Sequence, residues 1–261
     1  MSIIKSPVFL IGSGRSGTTF LANLLGQHPE IALYPGEANE LWHPRLYPWH
    51  ESDIDVAPIW MDPQAFTRRS LKSRPWGWRR TIKKTFAGWY RQQSRPVFLH
   101  KTVMTNFMLP EMQKLFPDAK FIHLVRSGLS VALSYQKKEL EKYRRPKYHH
   151  YINPEDHPRI RACHAEYWKQ IIFEVERFRQ NEVSEGHFLE LRYEDLMAEP
   201  DTRLEELLTF IGVGQFPEDQ QQELRSRFQD RNYKVRSELG DEEQSRLQQI
   251  MQPALEMKGY G

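Results

Sequence analysis

The stretch from Pro7 to Leu25, PVFLIGSGRSGTTFLANLL, leaves the chain few ways to fold. Val8 to Ile11 is an apolar run of strand length, and Thr19 to Leu25 carries the apolar spacing of a helix. Between them lies Gly12-Ser13-Gly14-Arg15-Ser16-Gly17-Thr18-Thr19. Glycines there let successive backbone N–H groups turn inward, and the following helix adds the positive end of its dipole. The turn is therefore suited to an anion, above all a phosphate.

The spacing comes close to the nucleotide-binding pattern G-x-x-x-x-G-K-[ST], with Gly12 and Gly17 as the glycines and Thr19 as the hydroxyl. Thr18 stands where the lysine would be, and the cation of the loop is Arg15. A nucleotide triphosphatase also needs an acidic strand end to hold magnesium. Here the run Phe121 to Val125 ends in Arg126, and Phe188 to Leu191 runs into Arg192. Arginine inside the loop and cations at later strand ends point to an anionic nucleotide held by side chains, with no metal.

The length of 261 residues fits a single domain covering 1–261, with an irregular aromatic and basic insertion or lid at about 41–95. Net charge is only +3, but its distribution is uneven. From Pro63 to Pro110 there is no Asp or Glu, while Arg68, Arg69, Lys72, Arg74, Arg79, Arg80, Lys83, Lys84, Arg91, Arg95 and Lys101 are all basic. A basic face is expected there, offering a peripheral contact to an anionic membrane or acceptor through residues 68–95. Cys163 is the only cysteine, so no intrachain disulfide can form and a reducing compartment is the default. With no room for a signal peptide before the first strand and no apolar run of membrane-spanning length, the expectation is a soluble cytoplasmic protein, with the inner membrane surface within its reach.

Along the chain, Ile31 to Tyr34 reads as a second strand, leading into Pro35-Gly36-Glu37. Ligands of open α/β sheets lie beyond the carboxyl ends of the strands, which places Glu37 on the rim of the phosphate loop. His28, before a proline at a helix end, reads as a turn residue. Thr81 to Arg95 has helical apolar spacing; Val97 to His100 is a third strand, ending at Lys101. A helix is expected from Asn106 to Phe116, a fourth strand from Lys120 to Val125, and a helix from Gly128 to Leu140 that sets Ser134 two turns beyond Arg126. The polar stretch Tyr143 to Pro158 holds His149, His150 and His157 but lacks metal-ligand spacing, so it reads as an acceptor-facing loop. A long helix at Arg159 to Asn181, a fifth strand at Phe188 to Leu191, and helices opening at Asp201, Pro217 and Asp241 complete the pattern. Such alternation predicts a three-layer α/β fold of the P-loop type, a mainly parallel sheet of about five strands with helices on both faces.

Taken together these motifs resemble the sulfotransferases that use 3′-phosphoadenosine 5′-phosphosulfate (PAPS). The run Gly14, Arg15, Ser16, Gly17, Thr18 and Thr19 is similar to the family's 5′-phosphosulfate loop. Arg126 and Ser134, in VRSGLSVALS, resemble its 3′-phosphate pair, and Tyr193 lies in a matching LRYEDL segment. The resemblance implies PAPS as co-substrate, 3′,5′-diphosphoadenosine (PAP) as product, and no metal. Gly36-Glu37 looks like the branch containing protein-tyrosine and bacterial glycolipid or carbohydrate sulfotransferases, in which a glutamate is the base. Lys101 is similar in placement to a lysine that contacts the sulfuryl group. The basic segment with Lys234 and Arg236 resembles a loop folded over the nucleotide, with Val235 replacing the family's frequent tryptophan. The implied acceptor is a small molecule, glycan, glycolipid or phenol, and no specific nucleic acid. Two other readings of the residues remain: a P-loop small-molecule kinase, and a non-catalytic polyanion or nucleic-acid binder using the Arg- and Trp-rich segment.

Overall fold

The computed structural model describes residues 4–43, 76–143, 157–230, 232 and 238–260. Most of the expected lid, the loop histidines 149 and 150, Lys234 and Arg236 lie outside the described residues.

Five parallel strands form one sheet in the order β2-β3-β1-β4-β5: β1 (Val8–Ile11), β2 (Ile31–Leu33), β3 (Val97–Lys101), β4 (Lys120–Val125) and β5 (Phe188–Arg192). β1 is central, with Val8 opposite Leu99 of β3 on one side and Lys120 of β4 on the other. From β1 the chain travels outward to β2, then steps back through β3 and across to β4. The direction of travel therefore reverses beside β1, where ligand crevices of such sheets open.

The apolar runs are long because both faces are covered. Val8 and Leu10 face a cluster built from Leu21, Leu24 and Leu25 of α1 (Thr18–Leu25), Leu196 of α7 (Tyr193–Ala198) and Leu204, Leu207 and Leu208 of α8 (Pro200–Ile211). Phe9 and Ile11 face the opposite cluster. It contains Trp42 of α2 (Asn39–Trp42), Ile82 and Phe86 of α3 (Trp78–Tyr90), Met112 of α4 (Leu109–Leu115), and Tyr167, Ile171 and Phe178 of α6 (His157–Asn181). A third cluster joins α5 (Gly128–Tyr143) to α6 and α10 (Asp241–Met257); α9 spans Glu218–Ser226.

Where helix starts depart from expectation, one residue explains each shift. α4 begins at Leu109 and not Asn106, because Pro110 lacks an N–H and is tolerated only in a first turn. α8 begins at Pro200 ahead of Asp201 for the same reason. α3 begins at Trp78, earlier than Thr81, since Gly77 at φ 81° turns the chain into it.

A buried ion cluster ties the sheet to the end of α10. Lys258 Nζ lies 3.0 Å from Glu176 Oε2 and 2.7 Å from Glu190 Oε2, and Glu190 also meets His123 Nδ1 at 2.9 Å. The Arg179 hydrogen bond is the largest influence on Glu176; with Lys258 it outweighs burial and holds the carboxyl down at about 2. Burial opposes ionisation of Glu190, but His123 and Lys258 overcome it and hold that group at about 2 as well. Both carboxyls titrate near 4.5 when unperturbed, so their stabilisation is complete above that value and is lost as pH falls toward 2. Melting temperature should therefore drop between about pH 5 and about pH 2, and Glu176→Gln should flatten part of that drop; an unchanged slope would assign the acid sensitivity elsewhere.

Candidate active site

The loop after β1 is held by its glycines. Gly12 has φ 143°, and a Cβ there would sit 2.5 Å from the carbonyl oxygen of Leu124 in β4. Gly17, at φ 98°, lies against the Tyr193 ring, 2.9 Å from a hypothetical Cβ. A side chain at either position would collide and strain the backbone. Ser16 Oγ donates to the Ser13 carbonyl at 2.6 Å, and Asn106 Nδ2 donates to the Gly12 carbonyl at 3.0 Å, fixing the loop from within and from the segment before α4. Asn106, whose role in the loop the sequence did not reveal, also donates to the Val103 carbonyl at 2.7 Å.

Arg15 occupies the left-handed region at φ 69°, which turns its side chain outward to the rim, where Nε donates to Ser134 Oγ of α5 at 3.0 Å. Its carbonyl accepts from Arg126 Nη1 at 3.1 Å. The loop and the Arg126–Ser134 pair are thus one connected cluster. Arg126 follows β4 and stacks on the Tyr193 ring, 4.4 Å from guanidinium carbon to centroid. Its Nε donates to Asn232 Oδ1 at 2.8 Å, and its own carbonyl accepts from Trp168 Nε1 at 3.1 Å. Burial is the main influence pushing the guanidinium pKa down, with Arg15 adding to it, while Tyr193, Glu194 and Asp230 oppose it. Among the described residues, two of its five N–H groups are engaged and Nη2 remains for a ligand.

Across β1, Lys101 ends β3 and its ammonium bonds Glu37 Oε1. The sequence set both residues on the rim but not in contact. Among the described residues, Glu37 Oε2 receives only a long 3.4 Å approach from Asn39 Nδ2. The residue preceding α2 is Ala38, at φ 49°, so Glu37 is not that helix's cap. His100, one residue earlier on β3, is fully buried and accepts from Trp42 Nε1 at 3.0 Å. Burial and the neighbouring Lys101 push it down to about 3, so its ring is neutral and faces the core. His28 uses Nε2 toward the Gly214 carbonyl at 3.0 Å and Nδ1 to accept from Glu30 N at 3.2 Å, the turn role its position before proline implies. Thr18 and Thr19 open α1 at the mouth of the loop, Thr18 buried and Thr19 exposed. Tyr193 opens α7, buried, its hydroxyl donating to the Gln229 carbonyl at 3.2 Å.

The geometry supplies a glycine turn ahead of a helix N-terminus, two arginines joined through the Arg15 carbonyl with Ser134 bound to Arg15, and a lysine–glutamate pair one strand away. Such a rim can hold a doubly anionic nucleotide and set a carboxylate near its reacting end.

The chain is 28% identical over 144 residues to omega-hydroxy-beta-dihydromenaquinone-9 sulfotransferase Stf3 of Mycobacterium tuberculosis (strain CDC 1551 / Oshkosh), an alignment covering 53% of this chain and 34% of that protein. The chain thus spans about a third of that relative's length. Among solved structures, the sulfotransferase domain from the Synechococcus PCC 7002 olefin synthase superposes with a TM-score of 0.63 at 20% identity, covering 99% of this chain and 97% of that one. The sulfotransferase domain from the curacin biosynthetic pathway gives 0.61 at 17% identity, covering 99% of each chain. The sulfotransferase family model matches residues 7–218, so the chain belongs to the sulfotransferase family.

Proposed function

We propose that the chain transfers the sulfuryl group of PAPS to an acceptor hydroxyl by in-line displacement. The observation that carries this reading is the Arg15–Ser134 hydrogen bond, which joins the phosphate loop to the second anion site, as a nucleotide phosphorylated at both 5′ and 3′ positions requires. Gly14, Ser16, Gly17, Thr18 and Thr19 hold the 5′-phosphosulfate with Arg15, while Arg126 and Ser134 hold the 3′-phosphate. Tyr193 lines the adenosine pocket. Lys234 and Arg236, outside the described residues, are assigned to the nucleotide on the family resemblance alone. PAPS supplies an activated sulfuryl group on a good leaving phosphate. Glu37 takes the acceptor proton as the hydroxyl oxygen bonds to sulfur, and the S–O bond to the 5′-phosphate breaks with its electron pair leaving on PAP. Lys101, Arg15 and the loop amides stabilise charge growing on the sulfuryl oxygens and the leaving phosphate. The cations at the ends of β3 and β4 favour this over a magnesium-dependent kinase.

We further propose that the acceptor hydroxyl is borne by a glycolipid or other lipid at an anionic membrane surface. α3 buries Trp78, Ile82 and Phe86 while Arg79, Arg80, Lys83 and Lys84 are exposed, with Arg91 just past its end and Trp76 fully exposed just before it. The mycobacterial relative is named for a hydroxylated menaquinone, which supports a lipid-borne acceptor here. Among the described residues no helix is long and apolar enough to cross a bilayer, so contact would be peripheral.

PAP should raise the melting temperature without magnesium, because a ligand of the native state adds to apparent stability. Arg126→Ala should remove most of that rise, through loss of a charged contact of about 1.5–3 kcal/mol. Equal protection of variant and wild type would contradict the 3′-phosphate assignment. Radiolabelled PAPS offered with carbohydrate, phenol and glycolipid acceptors, the last in anionic and in neutral vesicles, tests the acceptor; label appearing only on water-soluble acceptors would reject the membrane reading.

A further inference from the structure

We propose that Asn232, Glu194 and Tyr260 form a positioning relay that orients Arg126, so that Tyr260 controls affinity for the 3′-phosphate by acting through Arg126. This rests on the assignment of Arg126 above. The Tyr193 ring beneath Arg126 fixes the plane of the guanidinium but leaves it free to slide and rotate within that plane. Together with the Arg15 carbonyl, which accepts from Nη1, Asn232 removes that freedom by accepting from Nε at 2.8 Å. Its amide donates in turn to Glu194 Oε1 at 2.5 Å. An asparagine suits this place because one end accepts from a cation while the other donates to a carboxylate. Aspartate would face Glu194 with like charge, and an aliphatic side chain would break both bonds.

Glu194 gathers the rest. Its Oε1 also accepts from the backbone N–H of Ser127 at 3.1 Å, the residue after Arg126, so one carboxylate oxygen steadies both the backbone and, through Asn232, the side chain of the arginine. Its Oε2 accepts from the Tyr260 hydroxyl at 2.6 Å. That phenol is pushed well up from its usual range by burial and by Glu194, so it is protonated and donates to the carboxylate at neutral pH. The Arg192 guanidinium covers the Tyr260 ring at 4.3 Å, and Tyr260 N donates to the Leu255 carbonyl at 2.9 Å. Two residues before it, Lys258 is locked between Glu176 and Glu190. Tyr260 is thus anchored from α6, β5 and α10, and it passes that rigidity to the nucleotide rim.

Isothermal titration of wild type, Tyr260→Phe, Glu194→Gln and Arg126→Ala with PAP and with adenosine 5′-monophosphate, which lacks the 3′-phosphate, tests the relay. Tyr260→Phe should weaken PAP about fivefold and Glu194→Gln about tenfold, the size of one and of more than one displaced hydrogen bond. Affinity for the monophosphate should stay within about twofold, because Arg126 does not address it. The KM for PAPS should rise while kcat at saturation holds. Equal loss of both ligands, or a lower melting temperature with PAP affinity intact, would make these residues scaffold only and overturn the relay. Should Arg126→Ala itself keep the preference for PAP, the assignment of Arg126 fails; a preference lost in Arg126→Ala but kept in both other variants overturns the relay alone.

Discussion

Turnover of Glu37→Gln is expected to fall by about 10²–10⁴-fold, the range for loss of a general base, while PAP affinity barely changes. Glutamine keeps the size and one carbonyl oxygen, so the contact with Lys101 can persist in a weaker, uncharged form. What it loses is the ability to take a proton at neutral pH. The geometry favours Glu37 over the nearby histidines for specific reasons. Oε1 is bound by Lys101, whereas among the described residues Oε2 has only the long approach of Asn39, which in the proposed mechanism leaves it for the acceptor hydroxyl. His100 is buried and neutral behind the pair, and His28, which precedes β2 whereas Glu37 follows it, has its ring nitrogens on the Gly214 carbonyl and the Glu30 N–H. Because Ala38 and not Glu37 precedes α2, the variant should change stability by less than the ~1 kcal/mol of a lost helix cap. Turnover, PAP titration and melting measured on one preparation decide the matter: near-normal turnover removes Glu37 from the role of base.

The parts of this site legible in the sequence are those written in consecutive residues. The strand, glycine turn and helix of Pro7 to Leu25 announce themselves by composition, and β1 runs Val8–Ile11 as the apolar run implies. Arg126, Lys101 and Glu37 were assignable to the rim because parallel strands share a direction, so whatever follows each apolar run lands at the same edge. Strand order was not assignable, since nothing local says that β3 inserts between β1 and β2. The same limit hid the ion pair between Glu37 and Lys101, which depends on β2 and β3 being neighbours. Asn232, Glu194 and Tyr260 were invisible for a related reason. Each is an ordinary polar residue: the pairing of β5 with β4 brings Glu194 to Ser127, and the segments before and after α10 bring Asn232 and Tyr260 to Glu194. Glu194 did carry a signal, standing beside Tyr193 in LRYEDL, but adjacency on the chain does not say which residue faces the ligand.

Lys101→Ala should lower turnover by about 10²–10³-fold, as removal of a fixed charge opposite a developing oxyanion does in other group-transfer sites. The ammonium has two tasks at one position. It pairs with Glu37 at the end of the strand beside β1, and in the proposed mechanism it also stabilises the sulfuryl oxygens as they gain charge. These tasks predict different results. If Lys101 serves only Glu37, then Lys101→Ala in a Glu37→Gln background should cost nothing further, because its partner's charge is already gone. If it also stabilises the transferring group, the double variant should fall below Glu37→Gln, though by less than the product of the single losses, since contacting residues that act on one transition state are not additive. Lys101→Arg should recover only part of the activity: a planar guanidinium cannot place a compact charge between a carboxylate and a tetrahedral sulfur centre. Stability offers the control. With Lys101 and Glu37 side chains only 11% and 25% exposed, the pair is largely buried, so Lys101→Ala leaves a carboxylate unpaired and should lower the melting temperature, whereas Lys101→Arg, which keeps the charge, should restore much of it. A Lys101→Ala enzyme within a few-fold of wild-type turnover would leave the sulfuryl charge to Arg15 and the loop amides alone.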